Sequence, residues 1–352
     1  MRDTKILKIQ NISGCEKELD EAASILASGG LVAIPTETVY GLAANAKDEA
    51  AVKSIFEAKG RPQDNPLIVH ICDLAMLAEI VREVPESALK LADRFWPGPL
   101  TIILPKSDAI PSVTSAGLDT VAVRFPKHAV ARELIRRAGV PVAAPSANLS
   151  GSPSTTTAQH CIHDLMGRVD AIVDGGDCEV GVESTVITLV GGTPKLLRPG
   201  YVTLEQLREV LGEVLVDKAV TDQPDPDAKV ASPGMKYKHY APQCRVILVE
   251  GTQAQYADYV NSHHAEGEFA LCYNEDVPFL DCPSIAIGSE QDEAAQAAKL
   301  FDSLRRLDEE GAQVVYARCP NQTGVGLALY NRLIRAAAFQ VVRTEPAGEA
   351  ER

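Results

Sequence analysis

The chain has 352 residues, of which 45% are hydrophobic and 23% charged, and its formal net charge is −14. That length allows two domains with apolar material for a core in each. The acidic balance argues against non-specific nucleic-acid binding by the whole surface, and no apolar run reaches the length of a membrane span.

Met1-Arg2-Asp3-Thr4-Lys5 lacks the apolar stretch of a signal peptide, so a cytoplasmic location is expected. The eight cysteines are scattered without a Cys-x-x-Cys pair, and free, mostly core thiols are expected. His160-Cys161-x-His163 has no spaced partner pair, so no zinc site is read there.

Residues 31–34 read as a short strand. Asp48 is suited to cap a helix over 48–58, with Ala51, Val52, Ile55 and Phe56 on one face. Lys59-Gly60-Arg61 then presents two cations, and Pro62 and Pro66 stiffen the loop that follows. Such a pair suits a polyphosphate, but it also suits an ordinary helix C-terminus, where cations complement the dipole. A strand is expected at 66–71. A helical stretch then runs into the hard stop Phe95-Trp96-Pro97-Gly98-Pro99. Further strands are expected at 100–104, 120–125, 140–144, 171–173 and 185–189, each short and bounded by Gly or Pro. The alternation argues an α/β sheet with helices on it. Arg124 stands in the apolar run Val121-Ala122-Val123-Arg124-Phe125, where a cation needs an anion or a route to water.

Residues 217–231 are charged and poor in large apolar side chains, as in an exposed linker. The linker ends in Ser232 to Pro242, which holds two tyrosines and three cationic side chains. Strands at 245–249, 269–273, 284–287 and 313–317, with helices at 293–307 and 327–338, then describe a smaller α/β unit. Gly324-Val325-Gly326 lacks the third glycine and trailing acid of a dinucleotide fingerprint and reads as a turn.

Three blocks belong together: Leu31 to Leu42 (LVAIPTETVYGL), Lys59-x-Arg61, and Ala144-Pro145-Ser146-Ala147-Asn148 followed by Ser150-Gly151. Their Lys-x-Arg and Ser-x-Asn pattern resembles the YrdC family of threonylcarbamoyl-AMP synthases over about the first two-thirds of the chain. The remainder is similar to the extra domain of the longer family form. The resemblance implies an open, twisted, mixed sheet around a concave active site in residues 1–216. It also implies a linker at 217–244 folding over that site, and a small Rossmann-like α/β domain at 245–352.

The implied reaction joins ATP, L-threonine and bicarbonate or CO2 into L-threonylcarbamoyl-adenylate and pyrophosphate. By resemblance Lys59 and Arg61 are catalytic, and Thr38, His70, Arg124, Ala144 and Ser184 bind L-threonine. Also by resemblance Lys59, Arg61, Asn65, Thr120, Ser146, Asn148, Ser154, Arg198 and Tyr240 bind ATP. No Walker loop occurs, so side-chain cations and Mg2+ carried by ATP are expected to hold the phosphates, and no metal ligands are named. The product is expected to pass to a separate tRNA threonylcarbamoyl-transferase complex that modifies ANN-decoding tRNAs. No membrane partner and no strong direct nucleic-acid binding are expected. Two other readings stand beside this one. The first is a double-stranded-RNA-binding module without chemistry, which the net charge disfavours. The second is a carbamoyltransferase, whose zinc-binding cysteine pairs have no counterpart in this sequence.

Overall fold

The structure, a computed structural model, describes residues 2–223 and 240–344. These form two compact units, one holding 2–150 and 154–223, the other 151–153 and 240–344. Most of the expected 217–244 linker, including Lys236 to His239, lies outside the described residues.

The first unit begins with β1 (Lys5–Lys8), α1 (Glu16–Ala27), β2 (Val32–Ile34), β3 (Gly41–Asn45), α2 (Glu49–Lys59) and β4 (Ile68–His70). It continues through α3 (Leu74–Ile80), α4 (Glu86–Phe95), β5 (Leu100–Pro105), β6 (Thr120–Arg124), α5 (Ala129–Ala138) and β7 (Val142–Ala143). It closes with α6 (Ala158–Leu165), β8 (Ala171–Asp174), β9 (Thr185–Thr188), β10 (Lys195–Arg198), α7 (Leu204–Leu211) and β11 (Leu215–Val216). The strands form one mixed sheet in the order β1-β8-β2-β3-β7-β4-β6-β5-β9-β10-β11. The expected mixed α/β sheet is therefore present. The single helical stretch expected before Phe95 is two helices, because Val81 turns extended to bridge Lys106 and Pro85 restarts the next helix.

α2 shows how the sequence sets its own ends. The Asp48 carboxylate accepts from the amides of Ala50 and Ala51. At the other end Gly60 takes a left-handed conformation (φ 63°), and the amides of Gly60 and Arg61 donate back to the carbonyls of Glu57 and Phe56. This is a Schellman closure, which a side-chain-free residue adopts without strain. The glycine between the two cations thus reverses the chain, with Lys59 as the last helical residue and Arg61 just beyond it.

Burial divides the sheet's two faces. One face packs Val69, Ile102, Leu104, Val121, Val123, Ala143 and Ile187 into a core with Val52, Ile55 and Phe56 of α2 and Leu91 of α4. On the opposite face α1 and α5 cover β1, β8, β2, β3 and β7. Across β4, β6, β5, β9 and β10 that second face carries only the small cluster Ile68, Ile103, Ala122, Val186 and Leu197. This is the face on which the chemistry-bearing side chains gather.

The second unit comprises β12 (Arg245–Glu250), α8 (Gln253–His263), β13 (Glu268–Cys272), β14 (Ser284–Ala286), α9 (Glu293–Glu309), β15 (Val314–Arg318), α10 (Gly326–Ala336) and β16 (Val341–Arg343). Its strands are all parallel, in the order β14-β13-β15-β12-β16, as a doubly wound Rossmann-like unit requires. Gly324 is left-handed (φ 55°), and the Gly326 amide donates to the Glu293 carboxylate at 2.9 Å. A Cβ on Gly326 would lie 2.6 Å from the Asn321 carbonyl. The Gly-Val-Gly segment is a tight turn whose helix-start amide is taken by the protein's own carboxylate. None of the eight cysteines forms a disulfide. Among the described residues no helix is long and apolar enough to cross a membrane.

Candidate active site

Strand alternation builds the site. β4 pairs parallel with β6 so that His70 lies opposite Arg124, and β5 pairs antiparallel with β6 so that Thr101 also lies opposite Arg124. Period-2 geometry puts Ile68 and His70, Thr120, Ala122 and Arg124, and Thr101 and Ile103 on one face. Ser184 joins them at the start of β9. Ala144, just past β7, donates its amide to the Ile68 carbonyl at 3.0 Å. Expected residues Thr120, Arg124, His70, Ala144 and Ser184 therefore converge on the face that carries few apolar side chains.

Arg124 is 3% exposed and engaged at all three guanidinium nitrogens. Nε donates to the Gly98 carbonyl at 3.3 Å, Nη1 donates to Thr38 Oγ1 at 2.7 Å, and Nη2 lies 2.8 Å from Glu37 Oε1. Thr36 Oγ1 donates to the Val39 carbonyl at 2.6 Å and lies 2.9 Å from Thr38 Oγ1. With Arg124 donating to Thr38, the Thr38 hydroxyl proton is left to go to Thr36, and donation runs in one direction through the loop. Burial pushes the Glu37 carboxyl up, but the Arg124 charge and hydrogen bond outweigh it, and the net shift is below the usual glutamate range. Glu37 and Arg124 therefore face each other as ions.

His70 is buried, and its Nδ1 lies 3.2 Å from the Ile68 carbonyl. A carbonyl only accepts, so Nδ1 carries the proton and Nε2 is the acceptor. Burial lowers its pKa to about 3, with Arg124 pushing in the same direction and Glu37 only partly opposing. The ring is a neutral acceptor at physiological pH, not a standing cation.

This has a consequence for stability. Between about pH 6.5 and 3 the unfolded chain binds a proton at this histidine and the folded chain does not, so the fold loses stability as pH falls through that window. We expect His70→Gln to flatten the acid limb of a urea-midpoint versus pH curve by about one proton's worth of slope. Superimposable acid limbs for the two proteins would show that His70 is not held neutral.

A second cluster forms at the end of α2. Lys59 is buried, and its Nζ donates to the backbone carbonyls of Ser146 and Asn148. Ser146 Oγ donates to Asn148 Oδ1 at 2.5 Å, and the Ser150 amide donates to the Lys59 carbonyl at 3.0 Å. The Lys-x-Arg and Ser-x-Asn segments, far apart in sequence, are one hydrogen-bonded structure. Arg61 lies over the Phe56 ring at 5.9 Å. The Asn65 side chain is 1% exposed, yet neither of its amide atoms has a hydrogen-bond partner among the described residues. A buried primary amide in that state is poised for a ligand.

A third cluster links the remaining residues. Arg198 Nε donates to the Ser184 carbonyl at 3.0 Å and Nη2 to Ser184 Oγ at 3.2 Å, while Thr101 Oγ1 lies 2.7 Å from the same hydroxyl. Ser154 Oγ donates to the Glu183 carboxylate. Tyr240 belongs to the second unit, where its ring packs on Phe301 at 5.5 Å and under the Arg332 guanidinium. Neither Thr101 nor Glu37 as the partner of Arg124 was signalled by the sequence. The period-2 pattern Leu100-Thr101-Ile102-Ile103 was the one available signal for the first. Among the described residues no group of three or more His, Cys, Asp or Glu side chains is placed to hold a metal ion.

Comparison with known proteins gives a consistent picture. The sequence profile of a family bearing the names Sua5, YciO and YrdC, described as "Telomere recombination", matches residues 24–200. A second profile, "Threonylcarbamoyl-AMP synthase, C-terminal domain", matches residues 202–338. The chain is 46% identical over 331 residues to the threonylcarbamoyl-AMP synthase of Pyrococcus abyssi, covering 92% of this chain and 94% of that protein. It is also 46% identical over 336 residues to that of Bacillus subtilis, covering 94% and 96%. Among solved structures, P. abyssi Sua5 complexed with L-threonine superposes with a TM-score of 0.91 at 44% identity, over 97% of this chain and 100% of that one.

Proposed function

This chain belongs to the Sua5/YrdC threonylcarbamoyl-AMP synthase family in its two-domain form, and from that membership we propose how its residues divide the work. It is an enzyme of the nucleotidyl-transfer type, making L-threonylcarbamoyl-adenylate for tRNA modification. In our reading the amine of L-threonine adds to CO2 or bicarbonate-derived CO2, a carbamate oxygen attacks the α-phosphorus of ATP, and pyrophosphate leaves. The Arg124 guanidinium takes the threonine carboxylate, since donors remain on it beyond those engaged by Gly98 and Thr38. Thr38, Ser184 and the Nε2 acceptor of His70 orient the amino acid, and Ala144 leaves room beside it. Lys59 and Arg61 face the polyphosphate, with Arg198, Asn65, Thr120, Ser146, Asn148 and Ser154 lining the nucleotide subsite.

The observation that supports this reading is the Lys59 ammonium bonded to the Ser146 and Asn148 carbonyls, which joins the two signature segments in one structure. Mg2+ would enter with the nucleotide's phosphates, as is usual for this ion. We further propose residues 1–216 as the catalytic domain, 217–244 with Tyr240 as a segment that closes over the nucleotide, and 245–352 as its support. The product passes to a separate transferase complex, and the enzyme works in the cytoplasm. The net charge of −14 weighs against the RNA-binding alternative.

The test is pyrophosphate release from ATP by the full chain with Mg2+ and bicarbonate, with and without L-threonine. Release that depends on both threonine and bicarbonate is expected. ATP binding without threonine-dependent release would withdraw these residue assignments.

A further inference from the structure

Glu37 has no place in the assignments above, yet it is 3% exposed in the middle of the proposed amino-acid subsite. Its principal partner is the Arg124 guanidinium at 2.8 Å, with backbone amides, that of Lys127 among them, adding weaker support to the carboxylate. A buried glutamate held this way is costly unless the charge is used.

The charges around it can be counted. β6 contributes Arg124. Two imidazoles also act on Glu37, His70 from β4 and His128 at the N-cap of α5, and burial holds both below the usual histidine range. Among the groups that act on Glu37 itself the count at neutral pH is one cation, one anion and two neutral rings; Arg132 of α5 acts on His128 and not measurably on Glu37. The hydroxyls of Thr36, Thr38 and Thr101 add none. Arg198 reaches Ser184 beside them, and its charge is assigned above to the nucleotide phosphates.

A buried arginine alone would favour any small carboxylate, because a monoanion neutralises it. A buried arginine already neutralised by Glu37 does not. A monoanion would leave the pocket with a net negative charge in a dry environment, whereas a zwitterion brings no net charge. An α-amino acid also carries its cation about the right distance from its carboxylate to complement an Arg–Glu pair.

We infer that Glu37 is a positioning and specificity-determining residue: by pairing with Arg124 it fixes the guanidinium and makes the subsite select a zwitterionic α-amino acid over the corresponding carboxylate anion. The inference rests on the reading of Arg124 as the carboxylate contact. It adds that selection is made by the charge of the subsite as a whole, before any chemistry.

The test compares two ligands by calorimetry on the full chain saturated with a non-hydrolysable ATP analogue and Mg2+, so that Arg198 is occupied by phosphate. One is L-threonine. The other is (R)-3-hydroxybutanoate, which is threonine without its ammonium group. The unmutated chain is expected to prefer threonine. In Glu37→Gln, threonine binding should weaken about tenfold or more while 3-hydroxybutanoate binding holds or improves, so the preference collapses. A role confined to structural support would weaken both ligands by the same factor, and that result, or no change in either, overturns the inference. Glu37→Asp keeps the charge on a shorter arm and should retain the preference within about threefold even if both ligands bind less tightly. Loss of the preference in the Asp variant also overturns the inference, and this arm decides the matter if the Gln variant does not fold. Failure of the unmutated chain to bind threonine removes the substrate reading itself, an outcome distinguishable because no substitution is involved.

Discussion

Replacing Arg124 by Met is expected to reduce threonine-dependent pyrophosphate release by about 100- to 1,000-fold, through loss of a buried, charge-assisted carboxylate contact. The same change is expected to destabilise the fold by about 3–5 kcal/mol, because Glu37 is left buried without its counter-ion. The two effects have separate signatures. In the unmutated chain the Glu37 carboxyl is lowered, so its contribution to stability is present above the ordinary glutamate pKa and fades as pH falls. Without Arg124, burial is opposed only by backbone hydrogen bonds and raises that pKa. The variant should then be least stable at neutral pH and recover on mild acidification, as Glu37 takes up a proton.

A double variant, Arg124→Met with Glu37→Gln, should regain much of the lost stability and none of the activity. Denaturant midpoints at two pH values and the pyrophosphate assay read both quantities. If the single variant loses stability equally at every pH, the buried ion pair does not exist as described. If the double variant regains activity, Arg124 does not touch the substrate.

The second large effect is expected at Lys59. Its ammonium bonds two carbonyls of the loop after β7, so Lys59→Met removes the tie between α2 and that loop together with the charge proposed above to face the polyphosphate. ATP affinity should fall by about 100-fold or more while L-threonine binding, measured separately by calorimetry, stays within about threefold. Lys59→Arg should not restore ATP binding. A planar fork does not reproduce the compact ammonium from which the Ser146 and Asn148 carbonyls both accept. Unchanged ATP affinity with a lowered melting temperature would make Lys59 a structural clamp only.

How much of this could be read beforehand depended on whether partners are local. The end of α2 was legible because its signals are contiguous: Asp48 at the start, then two cations and a stiff loop at the end. What Gly60 does between those cations became clear only from its left-handed backbone. β3 was not foreseen, because Gly41-Leu42-Ala43-Ala44-Asn45 is buried on both faces and shows no alternation. β7 keeps only two residues of the expected 140–144 strand, because its role is to bridge β3 and β4 rather than to build an edge. Arg124 announced itself through the apolar run around it. Its partner did not, since Thr38 lies 86 positions earlier and Glu37 looks like one more polar residue in a threonine-rich turn. Charges that neutralise each other across the sheet leave no periodic trace in either segment.

The position of β8 between β1 and β2 has a bearing on how the chain is made. β1 and β2 are synthesised first, but neither pairs directly with the other. Both pair in parallel with β8, and Thr4 meets Val169 across 165 positions. At ordinary rates of synthesis that interval lasts on the order of 10–30 s. Until β8 emerges, neither β1 nor β2 can make its native pairing with it, and both leave an edge open. Such edges are templates for pairing with other chains. The arrangement makes birth on the ribosome the stage at which this protein most needs shielding, and it makes insertion of β8 the event that commits the first unit to its fold.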